Sequence, residues 1–198
     1  MAWLFTDPLA ANLFVVGIMF ASFGSYAIYR FLFNRNKPEI NAGFAYLLIA
    51  TGIYALSYGV LYSVIVPSPF TVADGELFGD PMVILGVASI LIGVLMNKKV
   101  SLAFAGIFTF LGGILGVIYA IQGYILGMAS PLYILLLYLG AGIGGILTAP
   151  LVVLPNKRAV QVLAVLVAIA FLGVAILALI IGSTAIGGHL VDFAKVRA

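Results

Sequence analysis

Three sets of residues in this chain have the types and spacing to do chemistry. The first is acidic. In the stretch "PSPFTVADGELFGDP", 67–81, Asp74, Glu76 and Asp80 place three carboxyl groups within seven residues. Such a set could contribute to a hard-cation site, although a calcium-type ion takes about 6–8 oxygen ligands. The plainer reading gives Asp74-Gly75 to a turn, Asp80 to a helix N-cap ahead of Pro81, and Glu76 to solvent. Together with Phe78, the same three acids make a polar loop suited to docking a partner.

The second set is phenolic. Tyr54, Tyr58 and Tyr62 recur every four residues, the spacing of one helix face, and Tyr119, Gln122 and Tyr138 sit at comparable depth in later segments. A tyrosine packs its ring while its hydroxyl bonds across to another helix. The set therefore reads either as interhelical packing with an interfacial aromatic belt, or as an outward-opening pocket for a lipid or quinone built from Tyr58, Tyr62, Tyr119, Gln122 and Tyr138.

The third set is "YLGAGIGGIL", where Gly140, Gly142 and Gly145 spell G-x-G-x-x-G. A dinucleotide fingerprint needs a strand, a tight turn and then a helix N-terminus. Here the glycines fall inside one apolar run, with no Lys or Arg nearby to meet a phosphate. The expectation is no nucleotide. Gly140 and Gly144, like Gly112 and Gly116, are four apart, so they lie on one helix face and let a second backbone come close. The fourth and fifth segments are expected to pack tightly, with each other or with a neighbour; the other reading is a glycine-lined substrate path with mobile helices. His189 is the sole histidine, in the tail "GGHLVDFAKVRA", which reads as a weakly amphipathic surface segment.

The elements that must position these residues are written in the composition. The chain has 198 residues, 65% hydrophobic and 8% charged, where soluble domains average about 45–50% and about 25%. Six apolar segments follow one another: 9–33, 42–66, 81–96, 100–123, 131–154 and 160–186. All but the third exceed the roughly 20 residues that a helix needs to cross a bilayer. None contains Asp, Glu, Lys or His, and Arg30 lies close enough to an end to snorkel. The fold expected is an all-α polytopic bundle of six spans in a single integral domain. Asp80 is expected to start the short third span, and Pro150 to kink or shorten the fifth.

Charge gives the orientation. Arg30, Arg35, Lys37, Lys98, Lys99, Lys157 and Arg158, seven of the nine basic residues, fall at one end of the bundle with a single acid, Glu39. The opposite end holds five of the six acids. Basic short loops face the cytoplasm, so both termini are expected outside, in the cell membrane. The first segment lacks a basic leader and is long for a signal sequence, and is expected to remain as a span. Asn36-Lys37, Asn97-Lys98 and Asn156-Lys157 recur at spacings of 61 and 59 residues, which reads either as three repeated hairpins or as the ordinary chemistry of inner turns.

What is missing limits function. There is no cysteine, hence no thiolate, disulfide or iron–sulfur chemistry. No carboxylate or histidine is expected inside the bundle for proton coupling, and no H-E-x-x-H, P-loop or nucleophile–histidine set is visible. No cofactor or metal is expected, and the scattered positive charge does not form a nucleic-acid face.

At "ELFGDP", 76–81, and at the opening "FTDPLAANLFVVG", 5–17, the chain resembles a family of uncharacterised archaeal and bacterial membrane proteins, catalogued as domain of unknown function 981. The resemblance implies a multi-spanning architecture over most of the chain and an archaeal source; it brings no catalytic residue. Two functions are carried forward. One is a non-catalytic integral subunit of a larger membrane complex, such as a respiratory or other energy-converting one, packed against other integral subunits. The other is a small channel, carrier or lipid- or quinone-binding protein. In both, membrane lipids are partners.

Overall fold

The computed structural model describes residues 8–64, 72–128 and 130–197, with side chains for 10–64, 77–128 and 130–187. The chain folds as a polytopic helical bundle: α1 (Pro8–Ala27), continued by a π-helical turn (Ile28–Leu32), α2 (Pro38–Val64), α3 (Val72–Asn97), α4 (Ala103–Ile125), α5 (Pro131–Val153) and α6 (Lys157–Arg197). All six are long and apolar enough to cross a membrane. With no water to satisfy backbone groups, long apolar runs of this kind are stable there only as helices or closed barrels, and no strand occurs among the described residues.

Each helix packs on its chain neighbours, and α6 returns to α1, so the six close on themselves. The tightest pairs are α2 with α3, α4 with α5, and α1 with α6. Glycine and alanine spaced by seven residues make them so. On α2, Gly52 and Gly59 meet Gly86 and Gly79 of α3. A β-carbon at Gly59 would lie 2.8 Å from the Gly79 carbonyl oxygen, and one at Gly142 of α5 would lie 2.7 Å from that of Gly113 in α4. Gly17 and Gly24 of α1 approach the carbonyls of Ala175 and Ala168 in α6. Seven residues are two turns, so each small residue returns to the same seam while the partner runs antiparallel. The three Asn-Lys hairpins expected as repeats span the looser α1–α2, α3–α4 and α5–α6 contacts, and their asparagines differ in role. Asn156 Oδ1 caps α6 by accepting from the amides of Arg158 and Ala159 at 3.0 and 3.2 Å, whereas Asn36 Oδ1 accepts from Asn41 Nδ2 at 2.6 Å.

Three expectations are corrected. Asp80-Pro81 does not start a helix: α3 begins at Val72 and runs through Pro81. The short sixteen-residue span thereby becomes a 26-residue helix, and the polar loop contributes its first two turns. Of the two effects expected of Pro150, the early end does not occur: α5 continues to Val153. The tail after Gly187 forms no separate element, because α6 is continuous over 41 residues. At about 1.5 Å per residue, α6 is about twice the roughly 30 Å of a hydrocarbon core.

Candidate functional site

The polar cluster that the structure assembles is a consequence of Pro81. Inside a helix, proline has no N–H to offer the carbonyl four residues earlier, here Leu77. That carbonyl lies within the apolar part of the bundle and needs a partner. Tyr138 of α5 supplies it: its hydroxyl donates to Leu77 O at 2.7 Å, and its side chain is 5% exposed. One residue before the proline, Asp80 is turned into the bundle. Its Oδ2 accepts from the Tyr119 hydroxyl of α4 at 3.1 Å. Its Oδ1 lies 3.3 Å from Ser63 Oγ of α2. The single Ser63 proton has a shorter contact, 2.9 Å to Gly59 O in its own helix, so the Tyr119 bond is the stronger hold on Asp80. The start of α3 is thus tied to α2, α4 and α5 by side chains, and the Tyr119 and Tyr138 rings pack at 6.3 Å.

Beneath this cluster lies an apolar cavity of about 100 Å³. Its walls are Val16, Phe20 and Phe23 of α1, the Pro81–Ile92 stretch of α3, the glycine faces of α4 and α5, and Phe171 of α6. Tyr119 and Tyr138 form its polar margin. Thr109 and Thr148 also line it, but their hydroxyls bond back to Gly106 O at 3.0 Å and Gly144 O at 2.8 Å in their own helices. The interior is left hydrocarbon-like. Phe20, Phe23 and Phe171 close the far end, with centroids 5.3 to 6.2 Å apart.

The expected pocket residues are only partly brought together. Tyr119 and Tyr138 meet. Tyr58 and Tyr62 are buried elsewhere in the core, stacked on each other at 4.5 Å. Gln122 faces outward, and Tyr54, at 41% exposure, does not share the buried face of Tyr58. Gly112 and Gly116 line the cavity, and Gly116 abuts Gly142. Gly140 and Gly144 instead face Val174 and Phe171 of α6, so α4 and α5 pack tightly through Gly113, Gly142 and Gly145. The G-x-G-x-x-G glycines all lie within the helical run of α5.

The docking loop is likewise revised. Phe78 is buried at 9% exposure and Asp80 is bonded inward, while the side chains of Asp74, Glu76 and His189 lie outside the described residues. Asp80 and Ser63 were absent from the expected pocket. The signal that could have found them is Asp-Pro four residues after an apolar Leu, read as a helix interior with an orphaned carbonyl.

The family described as "Protein of unknown function (DUF981)" matches residues 1–192. No curated protein and no solved structure matches the chain. The "ELFGDP" stretch that carries the resemblance supplies the Leu77 carbonyl and the Asp80 carboxylate that Tyr138 and Tyr119 bond, and the match runs from α1 into α6: the chain belongs to the DUF981 family.

Proposed function

We propose that the protein binds a single apolar chain drawn from the bilayer, an acyl or isoprenoid chain, within its helical ring. The observation that carries this reading is the cavity itself: an apolar space whose polar margin is the pair Tyr119 and Tyr138. An engineered apolar cavity of about 150 Å³ takes up benzene. A space of about 100 Å³ therefore admits a few methylenes of a slender chain and neither a quinone ring nor a haem, with the rest of the chain outside it. No bond is made or broken in this reading. The basic end faces the cytoplasm of the cell membrane, as its Arg- and Lys-rich turns favour.

The test is lipid analysis of the protein extracted gently from its own membranes, beside Ala141→Phe, which fills the cavity from α5. The native protein should retain one chain-bearing lipid at fixed stoichiometry, and the variant should lose it without losing melting temperature. Equal retention by both would place the lipid on the outer surface and overturn the reading.

A second reading, an integral subunit of a larger assembly, is favoured by α4. Phe104, Ile107, Leu111, Ile114, Ile118, Ile121 and Ile125 are all at least 39% exposed and alternate in steps of three and four. That heptad spacing suits a transmembrane helix of another subunit, although lipid covers such a face equally well. Co-purification of a second protein at fixed stoichiometry, lost on Ile114→Ala/Ile118→Ala, distinguishes the two.

A further inference from the structure

We infer that the basic end of the bundle holds an anion site for the phosphate headgroup of the lipid whose chain the cavity takes. The inference rests on the chain-binding reading and adds the polarity of the ligand. A vestibule of about 630 Å³ opens there, with Arg30, Lys99, Asn36, Asn41, Asn97 and Ser101 in its walls. No acidic residue lines it. Two cations therefore line one space with no carboxylate in its walls, and the other polar groups there are amides and hydroxyls suited to phosphate oxygens, set among apolar residues.

Both cations reach the vestibule through departures from regular helix. Arg30 lies in the π-helical turn 28–32, and such turns often mark functional sites. Lys99 has φ 55°, the left-handed region that a non-glycine residue enters at a cost. The wall around them is fixed. The Lys37 amide donates to the Tyr29 hydroxyl at 2.7 Å, and Tyr26 packs edge-on to Phe31 and Phe44 at 6.3 and 5.4 Å. The buried Asn41 Oδ1 has no partner among the described residues, an acceptor left over for a hydroxyl beside the anion.

The vestibule adjoins the apolar interior, which favours a lipid headgroup over a free ion. It shares Tyr26, Phe31, Leu102 and Val152 with a second cavity of about 40 Å³. That cavity shares Phe23, Ile92, Thr148 and Phe171 with the central one. The central cavity thus neighbours the second, and the second neighbours the vestibule, with Phe23 and Phe171 in the wall between the first two. A lipid with its phosphate against Arg30 and Lys99 would direct one chain inward toward Phe23 and Phe171, whose rings must part to admit it to the central cavity.

The experiment is native mass spectrometry of the full chain in detergent, offered equal amounts of dioleoyl phosphatidylglycerol and dioleoyl phosphatidylcholine, with and without millimolar inorganic phosphate. The wild type should retain the anionic lipid preferentially, and phosphate should compete weakly. Arg30→Gln and Lys99→Gln should each lower that preference about fivefold, the effect of about one surface charge near an anionic headgroup. Arg35→Gln and Lys157→Gln, basic residues outside the vestibule, should leave it unchanged. Melting temperatures establish that each variant is folded. An equal loss in both pairs would mean general surface attraction and overturn the site. Equal retention of the two lipids by the wild type would overturn the headgroup site while leaving chain binding intact. Retention of neither lipid would overturn both readings, and binding of inorganic phosphate alone would reassign the vestibule to a free anion.

Discussion

Leu77, Asp80, Pro81, Tyr119 and Tyr138 form one argument at the scale of residues. Proline removes a donor, a carbonyl is orphaned, and a tyrosine from another helix replaces the missing bond. The dependence can be measured. Tyr138→Phe should lower stability by about 1–3 kcal/mol, the cost of an unsatisfied buried acceptor, read as a drop in melting temperature. In a Pro81→Ala background the helix regains its own donor for Leu77 O, so the same Tyr138→Phe change should cost less than half as much. Equal costs in the two backgrounds would mean that the tyrosine acts by packing and not by replacing the proline's lost bond. Tyr119→Phe should be milder, because Asp80 is only partly buried and water can replace the phenol.

Among the helices, the packing follows from small residues seven apart, and this is the least legible part of the sequence. Five of the six spans are long apolar runs whose existence is plain from composition, because nothing else stabilises such runs in lipid. The third is obscured by Asp80-Pro81, because an N-cap followed by proline fits a helix start as well as it fits the interior position that it occupies in α3. The four-residue spacing of Gly140 and Gly144 marks a packing face without saying which neighbour that face meets, and both turn to α6. The tyrosine pocket was half legible for the same reason: depth along a helix can be read from sequence, whereas rotation about its axis depends on the partner. The glycine seams make opposed predictions. At Gly142 a new β-carbon would press on the Gly113 carbonyl and the Val117 amide, 2.7 and 2.8 Å away. Gly142→Ala should destabilise by about 1–3 kcal/mol, as overpacking does. Gly173 in α6 has nothing within 4 Å of its β-position. Gly173→Ala should stabilise by about 0.5–1 kcal/mol through helix propensity alone. Thermal unfolding in one detergent compares the two directly, and a stabilising Gly142→Ala would refute the backbone-to-backbone seam.

For the whole molecule, the decisive property is its polarity across the membrane. The turns between α1 and α2, α3 and α4, and α5 and α6 share one end and carry the cations, while the α4–α5 turn lies at the other end with the Asp80 cluster. If all six helices cross, the start of α1 and the end of α6 fall on the Asp80 side. If the basic end is cytoplasmic, the Arg30–Lys99 vestibule meets the inner leaflet and the Tyr119–Tyr138 margin lies towards the outside, so a bound lipid has its phosphate in and its chain directed out. The chain has no cysteine, so single cysteines can report this without background. Ser130→Cys, exposed beside the start of α5, should react with a membrane-impermeant maleimide in intact cells. Lys98→Cys, exposed just after α3, should react only after the cells are opened. The reverse pattern would invert the molecule, placing the cationic vestibule at the outer leaflet, and the lipid to look for would then be an outer-leaflet one. Labelling of both in intact cells would contradict the membrane crossing of α4, since Lys98 and Ser130 lie on opposite sides of that helix.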